Sequence, residues 1–161
     1  MGKLIIFPKG GVGVITIFEV ADFFLSKVEM SQKKLQKMCY YAYAWYLTLY
    51  DEMLFDNGKF EAWIHGPVNI ELYHRYKKYG WRSIPKSGGV ELSEDIEEFL
   101  NAIFNTFNEY TADQLETMTH DEAPWIEARN GIEADKPSNN KLDDEVIKNF
   151  YSKLGESGQL E

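Results

Sequence analysis

The sequence predicts a single domain that is mainly α-helical, an irregular bundle of six or seven short helices. Apolar residues recur three and four positions apart in several segments. Capping residues stand just before those segments, and there is no internal repeat or long heptad pattern. With 161 residues the chain can form one substantial core, and its 15% aromatic content indicates that rings fill much of that core.

The first two helices carry the clearest signals. Thr16 and Glu19 have capping-box spacing, which satisfies two backbone donors at a helix start. Ser31 is placed to cap the second helix. Because that helix is rich in rings ("CYYAYAWYLTLY", 39–50), its other faces must also be partly covered. The apolar stripe of the first helix is Ile17, Val20, Ala21, Phe24, Leu25 and Val28.

A turn and a third helix follow. Asp56, Asn57 and Gly58 have turn chemistry, so residues 53–64 form either a small β-hairpin or a loop. Pro67 suits the first position of a helix, where its missing N–H costs nothing. Gly80 is expected to end that helix.

The second half of the chain predicts four more helical segments. Ser93 caps the first, and Thr111 with Gln114 forms another capping-box spacing. Pro124 opens a short helix that Gly131 ends, and Asp143 caps a last helix with its apolar face on Val146, Ile147, Phe150, Tyr151 and Leu154.

The helical domain is predicted over residues 16–154. Residues 1–15 are expected to be an N-terminal extension, frayed or non-native, because their apolar run is too short and interrupted for a secretory signal. Residues 155–161 resemble a cloning scar.

The net charge of −9 and the pI near 4.9 restrict the partners. A surface of this sign repels phosphate backbones, so nucleic-acid binding is disfavoured. It attracts a basic partner, although solubility alone explains the charge equally well. No apolar run approaches the roughly 18 residues of a membrane span, and the single cysteine, Cys39, fits a cytoplasmic protein without an internal disulfide.

No catalytic constellation stands out. Cys39 lies beside an apolar stripe, where a thiol is usually inert, and the sequence lacks nucleophile-elbow and phosphate-loop motifs. His65, His120 and Glu122 supply metal-binding side chains without the fixed spacing of a zinc site. We therefore predict no catalytic residue, metal or cofactor, with a metal-dependent hydrolase using these three residues as an alternative.

Two aromatic corners remain, "AWIHGPV" (62–68) and "THDEAPW" (119–125), each combining His, Pro and Trp. In one interpretation both tryptophans pack inside and each histidine fixes a turn by bonding a backbone carbonyl. In the other, the corners lie side by side and form a recognition patch.

These segments carry a family resemblance. "LQKMCYYAYAW" (35–45), "FEAWIHGPV" (60–68) and "LETMTHDEAPWIEAR" (115–129) occur in the order and spacing of the Panacea antitoxin domain family, also called SocA-like or phage-associated proteins. The resemblance extends from about Ile17 to Tyr151. It rests on three motifs together, since no single one is decisive.

The resemblance implies a non-enzymatic antitoxin of a bacterial or prophage toxin–antitoxin system. Its partner would be a cognate protein toxin, encoded by an adjacent gene and neutralised by direct contact. The alternative is a proteolytic adaptor or phage-encoded regulator that binds a host protease or replication protein. The motif positions, which are candidates for structure or partner binding, are Lys37, Tyr41, Trp63, His65, Gly66, Pro67, Val68, Thr119, His120, Glu122, Pro124 and Trp125.

Overall fold

A computed structural model describes residues 15–57 and 59–156 and confirms the mainly helical fold. Residues 1–14 of the predicted extension and residues 157–161 of the predicted tail lie outside this description. In chain order the elements are α1 (Ile17–Lys27), β1 (Met30–Ser31), α2 (Gln32–Tyr50), β2 (Phe60–Trp63), β3 (Gly66–Asn69), α3 (Ile70–Tyr76), a 3-10 helix (Lys77–Tyr79), β4 (Ser83–Ile84), α4 (Glu94–Phe107), α5 (Ala112–His120), α6 (Ala123–Arg129) and α7 (Asp144–Glu156).

Helix α2 is the centre of the fold. It contacts α1, α4, α5 and α7 as well as the strand β3. Its side chains are buried around most of its circumference, as the ring-rich sequence predicts. Tyr41 stacks on Phe107 of α4 with ring centroids 4.3 Å apart, and Tyr151 of α7 lies edge-on to Tyr41 at 6.2 Å. Rings from several helices thus fill the core around α2.

Capping hydrogen bonds confirm the helix starts that were predicted from Ser, Thr and Asp caps. The Thr16 hydroxyl accepts from the Glu19 amide at 3.2 Å, and Glu19 completes the capping box. Ser31 and Ser93 cap α2 and α4 through their hydroxyls. Asp143 accepts from two amides at the start of α7. These bonds supply acceptors for amides that have no partner within the first turn of a helix.

The hairpin lies later in the chain than predicted. Strands β2 and β3 pair antiparallel with Trp63 opposite Gly66, so the turn consists of Ile64 and His65. Asn57, in the segment where the turn was expected, instead accepts a hydrogen bond from the Ile17 amide at 3.0 Å and ties this segment to α1. The Asx side chain therefore makes a tertiary contact here rather than a hairpin turn.

The prediction that Pro67 opens a helix is wrong. Pro67 lies within β3 opposite Ala62, and α3 begins only after Asn69. The Asn69 side chain accepts from the Leu72 amide at 3.0 Å, which is a cap that the sequence analysis missed. Proline is tolerated in β3 because the hairpin has just two strands, so it does not interrupt a ladder in the middle of a sheet. Helix α3 ends at Tyr76, earlier than predicted, and Gly80, at a φ of +57°, ends the 3-10 helix that follows it.

Across residues 15–57 and 59–156, no helix combines the length and the apolar character needed to cross a membrane.

Replacing Leu100 by alanine tests the role of the core. Leu100 of α4 is fully buried, so Leu100→Ala should lower the free energy of unfolding by about 2–5 kcal/mol through lost burial and a residual cavity. Urea denaturation followed by circular dichroism measures this loss. Met53→Ala, at a side chain that is 48% exposed, should change the same quantity by about 0.5 kcal/mol or less.

Candidate functional site

The two aromatic corners lie side by side, as the recognition-patch interpretation requires. The Trp125 indole N–H donates to the Trp63 carbonyl at 2.8 Å, and the Arg129 guanidinium donates to the Ala62 carbonyl at 2.8 Å. Arg129 also lies over the Trp125 ring, 4.8 Å from its centroid. Helix α6 thereby holds strand β2 through the backbone of β2 and leaves the Trp63 side chain outside this contact.

Helix α2 holds the other strand of the hairpin in the same way. The Gln36 amide group makes two hydrogen bonds to Asn69, accepting from its N–H at 2.8 Å and donating to its carbonyl at 3.0 Å. The Lys37 ammonium donates to the Pro67 carbonyl at 3.4 Å. Buried side chains of α2 thus satisfy backbone groups of β3 that would otherwise be costly to bury.

Lys37 is almost completely buried, with 1% of its surface exposed. Burial lowers the pKa of its ammonium group to about 7, although the nearby Glu116 carboxylate acts in the opposite direction. A lysine in this position is costly to keep charged. Its contact with Pro67 identifies it as part of the support of the hairpin rather than of an accessible surface.

Gly66 allows the hairpin to approach that lysine. Its φ of +108° is a conformation that side-chain-bearing residues rarely adopt. A Cβ atom at this position would lie 2.5 Å from the Lys37 Cε and 2.9 Å from the Thr119 hydroxyl. Both the backbone conformation and the close packing therefore require glycine here.

Glu116 of α5 is the charged centre beneath the hairpin turn, and the sequence analysis missed it. Its carboxylate pairs with Lys33, lies 3.1 Å from the His65 Nδ1 and lies 3.8 Å from the His120 Nε2. Burial acts to raise the pKa of Glu116, but the hydrogen bonds and charges of Lys33 and His65 outweigh it and lower the pKa. Glu116 stands four residues before His120, and this spacing places both side chains on one face of a helix. That spacing is the sequence signal that could have revealed Glu116.

His120 fixes the second corner from within. Its ring stacks on Trp125 with centroids 4.0 Å apart, and it hydrogen-bonds the backbone of Ile64. Burial lowers the pKa of His120, against the attraction of Glu116. His120 thus behaves as the turn-fixing interpretation predicts, whereas His65 contacts a carboxylate instead of a backbone carbonyl.

Glu122 belongs to the aromatic core. One carboxylate oxygen accepts hydrogen bonds from the Tyr41 hydroxyl at 3.0 Å and the Tyr151 hydroxyl at 2.7 Å, and Tyr151 also lies 3.0 Å from the Tyr40 hydroxyl. Burial raises the pKa of Glu122 to about 7, and the two tyrosine hydrogen bonds only partly offset this effect. The carboxyl joins α2, α6 and α7 at one point.

A groove opens beside the hairpin turn. Its volume is about 540 Å³, and it is lined by Trp63, Ile64, His65 and Val68 on one side and by residues 137–139 on the other. We call it the hairpin groove. Three of its lining residues, Trp63, His65 and Val68, are candidate partner-binding positions from the sequence, whereas Ile64 was not singled out. A largely apolar cleft with a few polar groups is typical of a binding site.

The remaining candidate positions support this surface from below. They are buried, or in the case of His120 and Glu122 partly buried, and they hold the hairpin or the core: Lys37, Tyr41, Gly66, Pro67, Thr119, His120, Glu122, Pro124 and Trp125. The motif therefore divides into a large structural set and a small set that lines the hairpin groove, in which Trp63 and His65 are accessible and Val68 is buried.

The described residues offer little for covalent or metal chemistry. The Cys39 thiol is buried, and burial raises its pKa well above the ordinary value, so it is a poor nucleophile. No group of three or more histidine, cysteine, aspartate or glutamate side chains in residues 15–57 and 59–156 is arranged to hold a metal ion. His65 and His120 both contact Glu116, while Glu122 is bound to tyrosines.

The match to a protein family identifies the class of protein. Residues 35–126 match the family described as Antitoxin SocA-like, Panacea domain, so the chain belongs to this family. The chain is also similar to Antitoxin SocA of Caulobacter vibrioides (strain NA1000 / CB15N), with 29% identity over an alignment of 151 positions. The match covers 82% of this chain and 80% of the relative. No solved structure matches the chain.

Replacing Gly66 by alanine tests the hairpin contact. Gly66→Ala should lower the free energy of unfolding by about 2 kcal/mol or more, since it combines backbone strain with overpacking against Lys37 and Thr119. Chemical denaturation measures the loss. Gly88→Ala is the control, because no atom lies within 4 Å of a Cβ added there. Equal stability of the two variants would contradict the requirement for glycine at position 66.

The Glu122 carboxyl should make stability depend on pH. Its pKa is raised from 4.5 to about 7 in the folded protein, so the folded state holds this proton more tightly than the unfolded chain. Its stabilising contribution is complete below pH 4.5 and is lost as the pH rises through about 7. Glutamine cannot ionise, so the free energy of unfolding of Glu122→Gln should rise by about 3 kcal/mol relative to that of wild type between pH 4 and pH 8.

Denaturation curves at several pH values measure this difference. Glu127→Gln, at an exposed residue of α6, is the control and should follow the wild-type pH profile. A constant difference between Glu122→Gln and wild type across this pH range would show that the carboxyl is not perturbed as described.

Proposed function

We propose that the protein is a non-enzymatic antitoxin that neutralises a partner protein toxin by direct binding, as part of a bacterial or prophage toxin–antitoxin system in the cytoplasm. Membership of the SocA-like family and the name of the similar Caulobacter protein support the antitoxin role. The partner is a protein toxin, with the adjacent gene as its expected source.

The main support for the proposal is the set of hydrogen bonds by which the helices hold the hairpin. Side chains from α2 and α6 bind its backbone carbonyls and amides. The end of β2 and the turn place Trp63, Ile64 and His65 in the lining of the hairpin groove. A rigid backbone with accessible aromatic and aliphatic side chains suits a protein interface, because little conformational entropy is lost on binding.

The polar groups of the motif are consistent with binding rather than catalysis. Lys37 and Glu122 are held inside by Pro67 and by tyrosine hydroxyls, respectively. A catalytic acid or base has to come within hydrogen-bond reach of a substrate. Their placement instead gives them a structural part in presenting the groove.

Co-expression tests the function. The candidate toxin encoded beside this gene is induced in a bacterial host with or without the full-length protein, and colony growth is measured. Wild type should restore growth. Ile64→Asp and Trp63→Ala should each lose rescue by about tenfold or more, because they remove apolar side chains from the groove.

Met53→Asp is the matched control, since Met53 is an exposed apolar residue that does not line the groove. It should rescue growth like wild type, with all variants expressed to equal levels. Failure of folded wild type to neutralise any linked toxin would overturn the proposal. Growth rescue by both groove variants would show that the hairpin groove is not the surface that binds the toxin.

The toxin level separates direct neutralisation from the adaptor alternative. Neutralisation by binding leaves the half-life of the toxin unchanged or longer, whereas a proteolytic adaptor shortens it. A chase experiment after translation is stopped, with and without the antitoxin, measures this half-life.

A further inference from the structure

The segment that borders the hairpin groove is positively charged, although the chain carries a net charge of −9. Between Glu71 and Glu91 there is no acidic residue. The end of α3 and the turn after it instead carry Arg75, Lys77, Lys78 and Arg82, all exposed. We call residues 75–82 the basic turn.

Ring contacts connect the basic turn to the groove. Trp63, which lines the groove, contacts Tyr73 of α3 with centroids 5.0 Å apart. His65, also in the lining, lies edge-on to Trp81 at 5.7 Å. Lys78 is three residues from Trp81, so their Cα atoms are at most about 11 Å apart. This upper limit is somewhat longer than the screening length, which is about 8 Å at physiological salt.

Carboxylates of the hairpin and of α5 do not cancel this charge. Glu61 accepts from the Trp63 indole at 2.8 Å and lies 3.8 Å from the Lys141 ammonium. Glu116 pairs with Lys33 and His65. On the opposite side of the groove, the segment before Pro137 contains Glu133, Asp135 and Lys136. Arg75 lies over the Phe18 ring of α1, 4.3 Å from its centroid, and interacts with Asp22. The positive charge next to the groove therefore comes from Lys77, Lys78 and Arg82, and the opposite segment is weakly acidic.

The exposure of Trp81 makes this side of the groove suitable for binding a partner. Its side chain is 74% exposed, the largest exposure among the large apolar residues of the described chain. An exposed tryptophan next to cationic side chains combines an apolar anchor with a site for anionic groups. Arg82 is fixed there by its hydrogen bond to the Lys78 carbonyl at 3.0 Å and by its position over the Tyr79 ring.

We propose that the hairpin groove and the basic turn together bind an acidic segment of the partner protein, with an apolar or aromatic side chain in the groove and carboxylates against Lys77, Lys78 and Arg82. The net charge acts at long range and favours a basic partner. Contact energy depends on the local charge, which is of the opposite sign. This inference deepens the proposed function and rests on it for the identity of the partner.

A peptide segment fits these features better than a nucleic acid does. The groove is lined mainly by apolar side chains and takes one apolar anchor rather than a polyanionic backbone. A nucleic acid would also extend beyond the basic turn and meet a surface with a strong excess of negative charge.

Peptide selection on the full-length protein tests the inference. A displayed library of random twelve-residue peptides is selected on the wild-type chain, and the enriched peptides are measured by fluorescence anisotropy. We expect enrichment of Asp and Glu next to an aromatic or aliphatic residue. Ile64→Asp should weaken binding of those peptides about tenfold, which assigns them to the hairpin groove.

Charge reversal tests the basic turn directly. Lys77→Glu with Lys78→Glu should weaken the binding of the acidic peptides by about tenfold or more. A selection on this double variant should favour peptides with Lys and Arg next to the apolar anchor. The matched control is Lys27→Glu with Lys153→Glu, which makes the same change in net charge away from the groove and should leave affinity and selection unchanged.

Enrichment of basic or uncharged peptides on wild type, equal loss in both charge-reversal pairs, or failure to enrich any peptide would overturn the inference. Stronger binding of a twelve-nucleotide single-stranded DNA than of the acidic peptides would also overturn it. Growth rescue with any of these outcomes would leave the antitoxin function standing, whereas acidic-peptide binding without rescue would reject the antitoxin function alone.

Discussion

The structure of the site depends on how the β2–β3 hairpin is held against the helices. A two-stranded hairpin is marginal by itself in water. Here side chains form the hydrogen bonds that additional strands would form in a larger sheet. Gln36 bonds both backbone groups of Asn69, and Trp125 and Arg129 donate to carbonyls of β2. The neighbouring segment adds a further bond, from the Ala62 amide to the Asn140 carbonyl at 2.8 Å. With its backbone satisfied, the turn can present its side chains in one conformation.

This support includes two groups that are costly to bury. Lys37 and Glu122 both have a pKa shifted to about 7 by burial. Hydrophobic residues of similar volume often stabilise a core more than buried charges do. The charged residues also specify geometry, since Lys37 reaches Pro67 and Glu122 connects Tyr41 with Tyr151. Their positions beneath the hairpin and between three helices fit a role in fixing one arrangement of these elements.

Charge acts on this protein at two length scales. The overall negative charge influences solubility and encounter, but it is unevenly distributed, and the basic turn adjoins the hairpin groove through Trp81 and His65. A prediction based on net charge therefore describes the approach of a partner and not the surface that it meets. The arrangement of the hairpin and α3 decides the sign of the charge next to the groove.

The sequence alone determined the helical class and the helix starts that have Ser, Thr or Asp caps, because caps and apolar stripes are local patterns three or four residues apart. It did not determine the place of the hairpin or the structural environment of Pro67, since strands of four residues carry too weak a pattern to outweigh a turn signal and a proline. Only the tertiary structure brought Glu116 to His65 and Gln36 to Asn69, across separations of 51 and 33 residues. Such contacts depend on how the elements pack, and local residue spacing does not encode them.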